Sequence, residues 1–116
     1  MIIDKKIPEI SKLVITENRA EFVAHLTEDL LYFQGHFPNT AILPGVAQVH
    51  WAVLWGRELL GIDGAFAGMD QVKFHMPAKP GDDLNILLEW SSEKSRLNFK
   101  YSLTGQVVSS GRVRLR

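Results

Sequence analysis

Cysteine is absent from these 116 residues, and disulfides, thiolate metal sites and thiol nucleophiles are excluded with it. Chemistry has to come from other side chains, and a cytoplasmic location is the expectation. Net charge is absent too. Thirteen Lys and Arg balance thirteen Asp and Glu, so no global field draws the chain to nucleic acid or to an anionic membrane surface. No repeat, low-complexity tract or linker interrupts the sequence, and its length suits one domain over residues 1–116. The start, Met1 to Lys6, lacks the basic-then-apolar plan of a signal peptide. The longest apolar stretch, Ile42 to Trp55, is interrupted by Gln48 and His50 and falls short of the ~20 residues that a membrane span needs. A soluble protein with no membrane span is expected.

What is present is strand-like alternation around one helical segment. Leu13 to Ile15 and Glu21 to Leu26 read as two strands hinged near Glu17 and Asn18, with Phe22, Ala24 and Leu26 on one face. Leu84, Ile86, Leu88 and Trp90, then Leu97, Phe99, Tyr101 and Leu103, recur at every second position. Turns at Ser91 to Ser95 and at Thr104-Gly105 join these runs into an antiparallel meander. The last strand, Gln106 to Leu115, points Val113 and Leu115 inward and Arg112, Arg114 and Arg116 outward. Phe66 to Met76 is a further strand, closed by Lys79-Pro80-Gly81-Asp82. The helix is predicted from Pro44 to Leu60, with Gly61 as its stop. Its first turns are apolar on every side, which predicts a helix buried all round, with Gln48 and His50 as buried polar groups in need of partners. A long buried helix in so short a chain is most economically covered by an antiparallel sheet wrapped about it, an α+β arrangement with the outline of a hot-dog fold.

Gly45 is a poor helix former placed in the first turn, where its N–H has no intrahelical partner. Glycine there lets another molecule approach that N–H closely, and the helix dipole favours developing negative charge at the same place. Pro44-Gly45 reads first as plain helix-start punctuation; with His36 nearby, a thioester carbonyl could be polarised at this point.

The run FQGHFPNTAILPGV, Phe33 to Val46, resembles the signature of bacterial 3-hydroxyacyl-acyl-carrier-protein dehydratases. FAGMDQVKFHMPAKPGD, Phe66 to Asp82, resembles their second signature, and the two together cover 31 residues. PGVAQVHWA also resembles the small dehydratase-like proteins of bacterial polyene and acyl-conjugate pathways. The resemblance implies a hot-dog fold, a homodimer, a pantetheine tunnel at the subunit interface, and a catalytic histidine working with a carboxylate from the other subunit. His36 matches the histidine, and Gly45 with Val46 matches the site of the thioester oxygen. Phe37, Pro44, Phe66 and Gly68 fall where the tunnel would be lined. The carboxylate position is His50 here, and the glutamine one turn later is Leu54.

Half of the acid–base pair has therefore changed type. His36 remains as base, and His50 could serve as the acid in its imidazolium form, since histidine titrates near neutrality. The expected activity is dehydration to a trans-2-enoyl thioester, weakened by the exchange at His50. A hot-dog thioesterase and a non-catalytic carrier-binding subunit are the alternatives. The partner is acyl carrier protein or a coenzyme A thioester, and a heterodimer with a relative or a higher oligomer competes with the homodimer. Glu93 is the last acid, so the basic end of the chain, Arg112, Arg114 and Arg116 above all, could dock an acidic carrier. The four histidines show no metal-ligand spacing, and neither a metal nor a cofactor is expected.

Overall fold

The computed structural model describes residues 6–33 and 42–116. Its elements, in chain order, are β1 (Glu9–Thr16), β2 (Arg19–His25), α1 (Gly45–Leu60), β3 (Phe66–Phe74), β4 (Asp83–Ser91), β5 (Arg96–Leu103) and β6 (Gln106–Leu115). A short 3-10 turn, Leu31–Phe33, precedes the undescribed segment. The six strands form one antiparallel sheet in the order β1-β2-β4-β5-β6-β3, and α1 lies across β2, β4 and β5.

Alternation dictates this arrangement in the central strands. Phe22 and Ala24 of β2, Leu84, Ile86 and Leu88 of β4, and Leu97, Phe99 and Tyr101 of β5 are all buried on the face turned to the helix. The intervening Glu21, Asn85, Glu89, Asn98 and Lys100 meet solvent. Each turn expected from the sequence joins the expected pair of strands. The two-residue hairpin of Thr104 and Gly105 takes positive φ at both positions, 46° and 83°, which matches the right-handed twist of the flanking strands. Edge strand β1 is fastened by a line of side chains. Ser11 Oγ lies 2.8 Å from His25 Nε2, and His25 Nδ1 lies 2.7 Å from Asp83 Oδ1.

The helix departs from expectation in two ways. Pro44 stands outside it as N-cap, with extended φ and ψ of −60° and 147°, and Gly45 is the first helical residue. More consequentially, α1 is not buried all round. Ala47, Gln48, Trp51, Ala52 and Trp55 are buried against the sheet, whereas Val46 is 76% exposed, His50 is exposed and Leu54 is 38% exposed. A single sheet layer covers one side of a helix, and the apolar residues of the other side are left open in the single chain. At the far end Gly61 takes the left-handed conformation, φ 64°, and returns its N–H to the Gly56 carbonyl, as a C-terminal glycine does.

The buried side of the helix is held by aromatic packing and three polar contacts, two of them to the sheet. Trp55 meets Phe22 edge-on at 5.0 Å and Trp51 meets Tyr32 at 5.8 Å, while Trp51 Nε1 donates to the Lys6 carbonyl at 2.8 Å. Tyr101 donates its hydroxyl to the Gln48 carbonyl at 2.6 Å, and Ser109 donates to Gln48 Oε1 at 2.5 Å. Among the described residues no buried side-chain nitrogen or oxygen lacks a partner.

Candidate active site

The open side of α1 forms one wall of an apolar groove of 590 Å³, and β3 forms the other. The helix contributes Val46, His50, Val53, Leu54 and Arg57 at intervals of three and four residues, which is one stripe of an α-helix. Gly45 and Val49 complete that wall. The opposite wall is Phe66, Met69, Val72 and Phe74. From Gly45 to Arg57 the groove follows the helix for about 18 Å at 1.5 Å per residue.

At the head of the groove the first-turn N–H groups of Gly45 and Val46 have no helical carbonyl to meet. The Pro44 carbonyl accepts from Ala47 N at 3.1 Å and Gln48 N at 3.4 Å, so it points along the helix. The N–H on the far side of that trans peptide, that of Gly45, then points out of the helix start. Close approach requires glycine here, because a Cβ on residue 45 would sit 2.6 Å from Cζ of the Phe74 ring. The groove is therefore an apolar trough that begins at a hydrogen-bond donor and positive dipole end. Among the described residues His50 is the acid–base group of its lining, with the Arg57 guanidinium two turns beyond, donating to the Gly64 carbonyl at 2.9 Å.

The residues singled out from the sequence fall as follows. Gly45, Val46, His50 and Phe66 converge on the groove. Pro44 is an exposed N-cap at its mouth. Gly68 was expected in the tunnel wall but lies against Arg114, whose Nη2 would be 2.5 Å from a Cβ at that position. His50 was expected to be buried and is exposed in the chain. It stands two residues from buried Gln48, and a 200° turn of the helix puts the two on opposite sides. His36 and Phe37 lie outside the described residues. Arg112, Arg114 and Arg116 lie along β6 and the residue after it, away from the groove. Arg114 Nε pairs with Asp70 Oδ2 at 3.1 Å, so this surface is partly neutralised.

Of the β3 residues that line the groove, Phe66 was expected from the sequence, whereas Met69, Val72 and Phe74 escaped it. Two irregularities in its pairing with β6, at Phe66/Gly68 and Asp70/Lys73, break the two-residue period and bring positions 66, 69, 72 and 74 to one face. Phe66-x-x-Met69-x-x-Val72 was a legible apolar spacing, but not one that a regular strand produces. Among the described residues no three of His, Cys, Asp and Glu gather as metal ligands, and no helix is long and apolar enough to cross a membrane.

Comparison with known proteins gives this groove a context. The sequence profile of ApeI-like proteins, described as ApeI dehydratase, matches residues 12–112. A 3-hydroxyacyl-[acyl-carrier-protein] dehydratase FabZ of Caldicellulosiruptor bescii is 37% identical over 80% of this chain and 74% of its own length. That of Bacillus pumilus is 38% identical over 63% of this chain and 56% of its own length. Among solved structures, a chain of the dehydratase heterocomplex ApeI:P from Xenorhabdus doucetiae superposes with TM-score 0.86 at 33% identity, covering 93% of this chain and 96% of that one. Thioesterase superfamily member 2 of Mus musculus, with TM-score 0.64 at 13% identity over 90% of this chain and 78% of its own, shares the fold. The fold is thus the hot-dog fold, and the chain belongs to the ApeI-like dehydratases, within the hot-dog family of 3-hydroxyacyl-acyl-carrier-protein dehydratases.

Proposed function

We propose that the chain converts 3-hydroxyacyl thioesters, carried on acyl carrier protein or coenzyme A, to trans-2-enoyl thioesters, with the acyl chain lying in the groove between α1 and β3. The observation that carries this reading is the junction at Gly45, where the N–H of a helix start opens directly into an apolar trough whose described lining includes His50. The thioester oxygen takes the N–H of Gly45, with that of Val46 beside it. His36 removes the α-proton, and the charge moves onto that oxygen, where the fixed donors stabilise it. As the electrons return to form the double bond, the β-hydroxyl leaves, and His50 as imidazolium supplies the proton that makes it water. His36 ends protonated and His50 neutral, and proton exchange with solvent resets the pair.

An open apolar helix face calls for a cover, and the reading assigns it to a second subunit, so that each groove is closed at the interface of a homodimer. A heterodimer with a relative is the second reading. It is favoured by the likeness to a chain of a two-protein dehydratase complex and by the histidine at the carboxylate position. The basic residues of β6, Arg112 and Arg114, with Arg116 after them, would steer an acidic carrier to the cytoplasmic enzyme. Hydrolysis of the thioester fits less well, since the described residues of the groove lining include no carboxylate to activate water.

Incubation with a 3-hydroxyacyl-carrier-protein series, following the enoyl chromophore and free thiol together, separates these readings. Enoyl without thiol is the expected product. Thiol release would establish a thioesterase, and binding without either product would establish a non-catalytic subunit. Sedimentation of the protein alone and with a dehydratase-like relative distinguishes the two assemblies.

A further inference from the structure

The groove's head is held by a buried polar cluster that the reaction as described above does not use. Gln48 is 3% exposed and Ser109 is fully buried, in a core otherwise made of apolar residues. Gln48 Oε1 accepts from Ser109 Oγ at 2.5 Å, and its Nε2 faces the Leu43 carbonyl at 3.4 Å. Leu43 N in turn donates to the Ala78 carbonyl at 2.7 Å, so the residue two before Gly45 is gripped at both ends of its backbone. Tyr101 adds a third tie, from its hydroxyl to the Gln48 carbonyl at 2.6 Å. Ser109 also pairs in register with Phe74, whose ring lies over Gly45. Two features that bound the space in front of the Gly45 N–H, the turn Leu43-Pro44-Gly45 and the Phe74 ring, are therefore referred to one residue of β6.

We propose that Gln48 and Ser109 are positioning residues that set the direction of the Gly45 N–H against the thioester oxygen. Neither faces the groove, and both act through the turn and the ring. The chemistry gives a reason for a polar clamp at a site where a Leu or Met would pack. Side-chain amide and hydroxyl bonds fix one rotamer and one register of the helix start, whereas apolar side chains of similar volume would let it slide by tenths of an ångström. A donor aimed at a developing oxyanion loses its effect over such displacements. This inference rests on the thioester site proposed above.

The test is a cycle of Gln48→Met, Ser109→Ala and the double variant. Each single change leaves one buried polar partner unpaired and should lower the melting temperature. The double change removes both partners and should restore much of it. Dehydration behaves differently: kcat should fall about tenfold to a hundredfold in the double variant and stay low, with KM changed less than threefold. Ser109→Thr, which keeps the hydroxyl, should retain more than half of wild-type kcat. A second readout needs no turnover. On titration with a non-hydrolysable 3-hydroxyacyl-pantetheine amide, the Gly45 amide resonance should move in the wild type and move much less in the folded double variant. A folded double variant with wild-type kcat, or with an undiminished Gly45 response, overturns the positioning role. A wild type whose Gly45 resonance ignores the amide would instead remove the thioester site itself.

Discussion

Replacing Gly45 by alanine separates stability from chemistry at the groove's head. The new methyl would stand 2.6 Å from Phe74 Cζ and 2.9 Å and 3.0 Å from the adjoining ring carbons, against an ordinary carbon–carbon contact of ~3.5–4.0 Å. The ring has to retreat by about 1 Å. Phe74 ends β3 and is 52% exposed, so it can swing toward solvent, and the overpacking cost falls at the lower end of ~1–3 kcal/mol. Alanine in a helical position returns up to ~1 kcal/mol over glycine. The two terms nearly cancel, and the melting temperature should shift by no more than about 5 °C. The methyl and the displaced ring nevertheless occupy the approach to the Gly45 N–H. Loss of one such donor lowers kcat by about a hundredfold to a thousandfold. Enoyl formation under saturating 3-hydroxyacyl thioester, beside a thermal melt, measures both quantities. A Gly45→Ala protein that melts like the wild type and keeps kcat within threefold would refute the oxyanion role of this turn.

Three further expectations follow from single features of the structure. His50 is exposed in the single chain but lies on the face assigned to the subunit interface, so a melt must accompany its variants; His50→Glu should keep or raise dehydration with a moved pH profile, and undiminished turnover in His50→Ala would remove the residue from the mechanism. Reversing Arg112, Arg114 and Arg116 to glutamate should weaken carrier-protein capture several-fold more than turnover of a small thioester, an effect that fades with salt; because Arg114 pairs with Asp70, a melt must accompany the binding measurement, and equal loss on both substrates would point to a damaged sheet. Burial raises the Tyr101 phenol well above its usual range, while an unfolded tyrosine ionises near pH 10: the unfolded chain loses its proton first, so stability present below about pH 10 should decline as pH rises above it. Tyr101→Phe should abolish that component of the alkaline decline, at a cost of about 1 kcal/mol at neutral pH for the lost bond to the Gln48 carbonyl, and an unchanged alkaline melt would contradict it.

The central sheet was legible because β2, β4 and β5 obey a strict two-residue period and their turns carry the right residues. Phe66 to Met76 was legible as a strand but not as a groove wall, since two register shifts turn Met69 and Val72 to the face that regular alternation would deny them. The helix boundaries were legible from Pro44 and Gly61. Its two-sidedness was not: hydropathy reports that Val46, Val53 and Leu54 avoid water, but not whether the same chain or another molecule does the covering. The same blindness placed Gln48 and His50 together as buried polar residues. Only the sheet's position shows that Gln48 turns to Ser109 and His50 to the groove. Ser109 and Tyr101 gave no signal, because a serine or tyrosine on a strand reveals its partner only when a helix 53 or 61 residues away is packed against it.

Removal of the α-proton by His36, with the thioester oxygen held at the Gly45 helix start, is the central step of the proposed reaction. The direct measurement is the intact mass of the acyl carrier protein after incubation of a 3-hydroxyacyl form with wild type and with His36→Ala, each checked by a thermal melt. The wild type should convert the hydroxyacyl form to a species lighter by one water, with no bare thiol. His36→Ala, melting within a few degrees of the wild type, should leave the substrate mass unchanged. Full conversion by a folded His36→Ala protein would contradict the assignment of the base, and bare carrier thiol from the wild type would contradict dehydration itself.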